Sequence, residues 1–130
     1  MIENKNDEIV LSQVEYNQIL NIQQQILEML ASHYETSTIL SKLCSLAESL
    51  LPNSVASIML KDKKTGLMSI LSAPSIPSSG HIFLANLKPG PKVGSCGNAV
   101  FHNQPQYIKN TFKDAKWEDL RQVAIDFNIC

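Results

Sequence analysis

The sequence predicts an α+β fold in which helices pack against an antiparallel sheet. Two stretches with helical periodicity come first, a strand–turn–strand pattern follows, and short helices separated by Pro- and Gly-containing loops fill the second half. Strands that are adjacent in sequence and separate from the helices favour antiparallel pairing. The 130 residues are enough for one domain. We assign residues 1–35 to a tail and an amphipathic helix, and residues 36–130 to the domain itself.

Composition narrows the class of protein. Hydrophobic residues make up 44% of the chain, which is ordinary for a globular core. The 11 Lys and Arg residues against 12 Asp and Glu, without a basic block, are not the pattern of a nucleic-acid-binding surface. No apolar run approaches the roughly 18–20 residues that a membrane span needs, and the polar residues 1–8 do not resemble a signal peptide. We therefore expect a cytoplasmic protein with no nucleic-acid or membrane partner.

The spacing of cysteine and histidine predicts neither a metal site nor a disulfide framework. Cys44, Cys96 and Cys130 include no CxxC pair, and the three histidines lie far apart without an HExxH motif. No cofactor is predicted for this chain.

The first predicted helix covers residues 9–30, after a polar tail at 1–8. Its apolar residues recur in steps of three and four, and four of them have the spacing of a heptad repeat: Ile19, Ile22, Ile26 and Met29. Because this repeat is short, two interpretations are open. The helix packs on its own domain, or it pairs with the same helix in a second subunit to form a homodimer.

A second helix and a β-hairpin are predicted next. Apolar residues with helical spacing run from Ile39 to Leu51, and Pro52 ends the helix. Two strand-like segments then enclose a polar turn, which predicts a hairpin with strands at 55–61 and 67–72 and a turn at 62–66.

The rest of the chain is predicted as loops, two short helices, one further strand and a last helix. In order, these are a loop at 73–80, a helix at 81–87, a loop at 88–92, a helix at 98–102, a strand at 106–109 and a helix at 114–127. With three strands in all, the predicted sheet is thin for the number of helices packed on it.

The most distinctive stretch is residues 93–100 (VGSCGNAV), which holds a glycine-flanked thiol, Cys96, where a helix is predicted to begin. A thiol at a helix N-terminus is expected to have a lowered pKa, although a small buried residue in a tight turn explains the same pattern. The glycine spacing fits neither a phosphate-binding loop nor a dinucleotide fingerprint. The candidate bases for a nucleophilic cysteine are His81 and His102, and His102 lies on a different helix face from Cys96. No catalytic residue is therefore predicted.

Trp117 is the single tryptophan of the chain. It has two interpretations, a ring that stacks on a ligand or a core residue of an amphipathic helix. The acidic residues near it, Asp114, Glu118 and Asp119, are typical of a first helical turn.

Five blocks of sequence, in order, resemble the GAF family. Residues 39–51 resemble its first helix, and a strand at 56–60 follows. Residues 73–77 (APSIP) resemble its "APSLP" loop, and residues 90–99 (GPKVGSCGNA) resemble its "GPGVGSCGTAA" turn. Residues 107–110 resemble its "VVEDI" strand, and residues 114–120 are similar to the start of "DPLWADYRDLA". The resemblance covers about residues 36–130 and is strongest to GAF domains of bacterial PAS/GAF signalling proteins and of diguanylate cyclases with GGDEF output domains.

This resemblance implies a PAS-like antiparallel sheet that holds a small ligand under a lid of loops. The sequence ends before the segment that resembles "CWSxPI", so the central strands at the C-terminal end of the family's sheet are expected to be lacking. The lid would comprise residues 73–80, 88–97 and 114–117. The ligand-binding residues that the resemblance implies are Ser95, Cys96, Gly97, Asn110, Asp114 and Trp117.

The same resemblance implies a non-catalytic sensory module in signal transduction. Its N-terminal helix would mediate dimerisation, and it would regulate a linked or partner output domain of the GGDEF or kinase type. An alternative is an enzyme similar to the free methionine-(R)-sulfoxide reductases, in which Cys96 matches a cysteine in a "GVCGTA" turn, although their nucleophilic segment has no counterpart here. A ligand-free structural remnant is the other alternative.

Overall fold

The computed structural model describes residues 12–129. The predicted tail at 1–8, the predicted start of the first helix and Cys130 lie outside the described residues. The order of elements is α1 (Gln13–Ala31), α2 (Thr36–Leu50), β1 (Ile58–Lys61), β2 (Met68–Ser72), α3 (Ser78–His81), α4 (Gly94–His102) and α5 (Arg121–Asp126). Short 3₁₀ segments, Ile82–Leu84 and Ala115–Leu120, follow α3 and precede α5. The predicted α+β class with antiparallel strands is confirmed.

Helix α1 begins at a capping box. The Ser12 hydroxyl accepts a hydrogen bond from the Glu15 N–H (3.1 Å), and the Glu15 carboxylate accepts one from the Ser12 N–H (3.0 Å). These two bonds satisfy amide groups that have no partner inside the first helical turn, which sets the start of the helix at Gln13. None of the α1 residues is fully buried.

The heptad-spaced stripe of α1 is half-buried, and α1 packs along α2. This stripe consists of Ile19, Ile22, Ile26 and Met29. The first of the two interpretations, packing within the same chain, therefore accounts for these four residues. Within the described residues, no helix is long and apolar enough to cross a membrane.

The predicted hairpin is confirmed, with shorter strands. Strands β1 and β2 pair antiparallel with Met59 opposite Ile70 and Lys61 opposite Met68, and Leu71 is the extra residue of a bulge. In the turn, the Asp62 carboxylate accepts hydrogen bonds from two backbone N–H groups, those of Lys64 (2.7 Å) and Thr65 (2.9 Å). Such side-chain bonds stabilise a tight connection and fix the register of the strands.

The predicted third strand at 106–109 is wrong. These residues alternate between half-buried and exposed, as strand residues do, but the described part of the chain gives them no strand to pair with. Tyr107 is 87% exposed, while Ile108 packs against the core. The further pairing of β2 is instead a single antiparallel bridge between Met68 and Leu87. The backbone N–H of each residue donates to the carbonyl of the other, at 2.8 Å in both directions.

Several predicted helix boundaries are corrected. Helix α4 begins at Gly94 rather than 98, and α3 begins inside the predicted loop at 73–80. The predicted continuous helix at 114–127 is a 3₁₀ segment followed by α5, with a break at Leu120, where ψ is 14°. The tighter 3₁₀ turn changes which side chains face inward, and both Trp117 and Leu120 are buried in it.

The core lies between the hairpin and the second half of the chain. Its buried members are Ala73, Ile76, Leu84, Trp117, Leu120, Val123 and Ala124. On the sheet, Met59 and Ile70 pack against this cluster, and so does Val93 in the loop before α4. The hairpin and the loop-rich half therefore share one apolar interior.

Candidate functional site

A cavity of about 170 Å³ lies between the hairpin and the predicted lid. The hairpin contributes Met59, Met68 and Ile70 to its wall. All three lid segments contribute to the opposite wall, with Ile76, Val93, Gly94, Ser95, Cys96 and Trp117. Leu84, Leu120, Val55, Ser57 and Ile129 complete the lining.

The turn at 88–97 is fastened to the 3₁₀ segment that carries Trp117. The Trp117 indole N–H donates to the Ser95 hydroxyl (3.1 Å), and the Asp119 backbone N–H donates to the Lys92 carbonyl (3.0 Å). An exposed ion pair between Lys92 and Glu118 (3.1 Å) spans the same two segments. These bonds fix the orientation of the indole ring over the cavity.

Asn98 is the buried centre of this attachment, and sequence reasoning missed it. Its side chain is 1% exposed, and its amide nitrogen lies within hydrogen-bond distance of the carbonyls of Pro91 (3.0 Å), Gly94 (2.9 Å) and Lys116 (3.3 Å). A buried amide with such partners ties the turn, the first turn of α4 and the 3₁₀ segment together. Its position directly after the glycine turn was the signal in the sequence.

Gly94 permits a close approach at the cavity wall. Its φ is +72°, a region that residues with a Cβ seldom adopt. A Cβ at this position would lie 3.1 Å from Leu120 Cδ1 and 3.4 Å from Trp117 Cε2. The glycine therefore lets the α4 backbone reach the indole ring.

Of the two interpretations of Cys96, the structure favours the small buried residue in a tight turn over the thiol with a lowered pKa. Cys96 is half-buried in the first turn of α4, and this burial raises the pKa of its thiol. The physical cause is the cost of removing a thiolate from water into an apolar wall. Cys96 is therefore a neutral thiol at neutral pH.

The two candidate bases have other partners. His81 Nε2 lies 2.9 Å from the Ile76 carbonyl and 3.2 Å from the Ala73 carbonyl, and His102 Nδ1 lies 3.0 Å from the Asn98 carbonyl. Among the described residues, neither histidine is hydrogen-bonded to Cys96. Residues 12–129 also contain no cluster of three or more His, Cys, Asp or Glu side chains that could hold a metal ion.

The structure divides the six predicted ligand-binding residues into two groups. Ser95, Cys96 and Trp117 line the cavity. The other three do not line it: Gly97, Asn110 and Asp114.

These three have structural roles. A Cβ on Gly97 would lie 2.7 Å from Val93 Cβ, so this glycine allows close packing behind the cavity wall. The side chains of Asn110 and Asp114 accept hydrogen bonds from the N–H groups of Phe112 and Lys116, both at 2.9 Å. They therefore cap local turns.

Comparison of the chain with protein-family models, with curated proteins and with solved structures found no match.

Proposed function

We propose that this protein is a non-catalytic sensory module of the GAF type that acts in the cytoplasm. It binds a small molecule between the hairpin and the lid, and it regulates a linked or partner output domain of the GGDEF or kinase type. The observation that carries the proposal is the cavity itself, because the hairpin and all three lid segments meet around it. A largely apolar concave site with a few polar groups is the usual form of a small-molecule site.

The chemistry of the site supports binding rather than turnover. A nucleophilic cysteine needs thiolate character and a base within hydrogen-bond reach. The Cys96 thiol has a raised pKa, and one ring nitrogen of each histidine, Nε2 of His81 and Nδ1 of His102, is bonded to a backbone carbonyl. The polar atoms of Ser95 and Trp117 bond each other and so hold the wall in place.

A panel of metabolites that includes cyclic nucleotides, screened by thermal unfolding, tests the sensory role. A ligand at 100 times its Kd stabilises the folded state by about 2.7 kcal/mol, which raises the Tm of a domain of this size by several degrees. If no compound raises the Tm of a folded dimer, the protein is a structural module without a ligand, and the sensory proposal is wrong.

The dimer in this proposal uses a second stripe on α1. Tyr16, Leu20, Leu27 and Leu30 are each more than half exposed. Their spacing of four, seven and three residues is that of the a and d positions of a heptad repeat. The stripe lies beside the one that packs on α2, so α1 can hold its own domain and a second copy at the same time.

Charge also favours pairing of identical helices. Glu15 and Glu28 are the charged residues within α1, and neither belongs to the exposed stripe. Two copies of this face therefore meet without opposing like charges. An exposed apolar stripe of this kind marks an interaction surface.

Sedimentation equilibrium tests the dimer with a matched pair of variants. Leu27→Glu places a charge in the stripe and should give a monomer with unchanged helix content. Gln18→Glu places the same charge on the exposed side of α1 away from the stripe and should remain a dimer. A monomeric wild-type protein, or a dimeric Leu27→Glu variant, would show that this stripe is not the interface.

A further inference from the structure

The wall of the cavity carries no charged side chain among the residues that the structure describes. Its polar members are Ser57, Ser95 and Cys96, and the other side chains are aliphatic residues, methionines and Trp117. Burial keeps the Cys96 thiol neutral because it raises the pKa of that group. A phosphate or carboxylate that entered this space would lose its hydration without gaining a cation, which is strongly unfavourable.

The volume of the cavity limits the size of the ligand. At about 170 Å³ it is smaller than the roughly 300–1,000 Å³ that is typical of sites for drug-sized ligands and cofactors. It is close to the volume of an engineered apolar cavity of about 150 Å³ that binds benzene. A single six-membered ring fits this space, whereas a nucleotide is larger than the cavity.

Methionine side chains and an aromatic side chain line the cavity from its two sides. Met59 and Met68 line it from the hairpin, and Trp117 lines it from the lid. Met68 is 1% exposed, so its side chain is held by packing. Thioethers and indole both interact favourably with an aromatic ring, beyond the effect of apolar area alone.

The polar side chains of the lining define the rest of the ligand. The Ser95 hydroxyl accepts the Trp117 indole N–H and keeps its own proton to donate, and the Ser57 hydroxyl and the neutral Cys96 thiol also line the cavity. These groups suit one small neutral acceptor, such as a hydroxyl or carbonyl oxygen. They do not supply the several charged contacts that would hold an ionised group.

We infer that the ligand is a neutral molecule built on one aromatic ring with a single small polar substituent. This inference rests on the proposed sensory function and specifies the class of ligand for the same cavity. The probes are benzyl alcohol as the neutral compound, benzoate as its charged counterpart of the same size, 2-naphthol as a two-ring compound and cyclic GMP as a nucleotide.

Protection of Cys96 from alkylation reports occupancy of the cavity directly. In a Cys130→Ser background, the described cysteines are Cys44, which is 2% exposed, and Cys96, which lines the cavity. Iodoacetamide should label Cys96 and spare Cys44, as read by mass spectrometry of peptides. Benzyl alcohol should slow the labelling of Cys96, and benzoate should bind at least about tenfold more weakly because its charge loses hydration.

A matched pair of variants on β2 locates the binding. Ile70→Phe places a ring in the cavity and should weaken binding of benzyl alcohol by at least about tenfold, because the new side chain occupies the space that the ligand needs. Leu71→Phe adds the same ring at a neighbouring residue that does not line the cavity and is half exposed, so binding should be unchanged. If Ile70→Phe fails to fold, the labelling experiment on the wild-type cavity still tests the inferred class of ligand.

The outcomes distinguish a failure of this inference from a failure of the proposed sensory function. Protection by benzyl alcohol but not by benzoate, lost in Ile70→Phe, supports the inference. Protection by cyclic GMP or 2-naphthol without protection by benzyl alcohol overturns the inference and leaves the sensory function standing. Equal binding of benzoate and benzyl alcohol, or unchanged binding in Ile70→Phe, also overturns it. If none of these probes, nor any compound of the metabolite panel, binds, both are wrong.

Discussion

Substitution of Gly94 by alanine tests the close contact on which the cavity wall depends. The alanine is expected to destabilise the protein by backbone strain and by overpacking, and variants of two other glycines distinguish these two effects. Gly66 has φ +74°, and a Cβ added there would have no atom within 4 Å, so Gly66→Ala reports backbone strain alone. Gly90 has no positive φ and only ordinary contacts, the nearest 3.6 Å from Val93, so Gly90→Ala should change stability little.

The magnitudes follow from this comparison. Backbone strain of an alanine with positive φ costs about 1–2 kcal/mol, which is the value expected for Gly66→Ala. Gly94→Ala adds overpacking against Leu120 and Trp117, where the nearest atoms are 3.1 and 3.4 Å away, and overpacking costs about 1–3 kcal/mol. The total for Gly94→Ala is therefore about 2–5 kcal/mol. For Gly90→Ala we expect a change within about 1 kcal/mol.

Urea unfolding followed by circular dichroism measures these free energies through the midpoint at constant m. Fluorescence of Trp117, the single tryptophan of the chain, reports the packing of the cavity wall in the same samples. A Gly94→Ala variant no less stable than Gly66→Ala, with unchanged Trp117 emission, would refute the close approach of α4 to the indole ring.

Three further predictions concern the groups around the cavity. Hydrogen bonds from the Ala56 N–H and the Ser75 hydroxyl lower the pKa of the Glu48 carboxyl. The contribution of this carboxylate to stability is present above the unfolded-state pKa of about 4.3 and is lost as the pH falls through the lower folded-state pKa. Urea titrations at several pH values should therefore show a smaller loss of stability at acid pH for Glu48→Gln than for the wild-type protein. Asn98→Ala leaves buried carbonyl groups without their donor and should cost about 1–3 kcal/mol in the same assay. Because the pKa of the Cys96 thiol is raised, its alkylation rate should still be rising with pH above about 8.5, where an ordinary thiol is half ionised; a plateau below that pH would contradict the burial of this group.

Local patterns predicted the first half of the fold. The period of apolar residues is a property of a single segment, and it identified α1, α2 and the hairpin before any tertiary contact was known. The turn at 62–66 was predictable for the same reason, because Asp62 bonds the backbone of its own turn. The start of α1 depends on the capping box at Ser12, which is also local but was overlooked.

The errors in the second half arise from tertiary contacts. The alternation at 106–109 correctly signals one inward face, since Ile108 packs on the core, but a strand also needs a neighbour, and a single segment does not reveal one. The pKa of Cys96 depends on how much of the chain covers it, so its position at a helix N-terminus did not decide between the two interpretations of this residue.

The candidate site was predictable in part for a similar reason. Of the ligand-binding residues that the resemblance implied, Ser95, Cys96 and Trp117 line the cavity, whereas Asn110 and Asp114 cap turns. Polar side chains that cap a turn and polar side chains that contact a ligand have the same residue types, so sequence alone does not separate them. The hairpin side of the cavity was missed because Met59 and Ile70 look like ordinary strand residues.

The attachment of the lid determines how a ligand would bind. The bond from Trp117 to Ser95 and those from Asn98 join the turn to the 3₁₀ segment, so one wall of the cavity is assembled without a ligand. Apparent affinity falls in proportion to the fraction of molecules whose site is assembled. Asn98 does not line the cavity, so Asn98→Ala should weaken binding only by lowering the fraction of molecules whose site is assembled. Saturating ligand should restore that fraction. In Ile70→Phe the new ring occupies the cavity, so excess ligand should not restore binding.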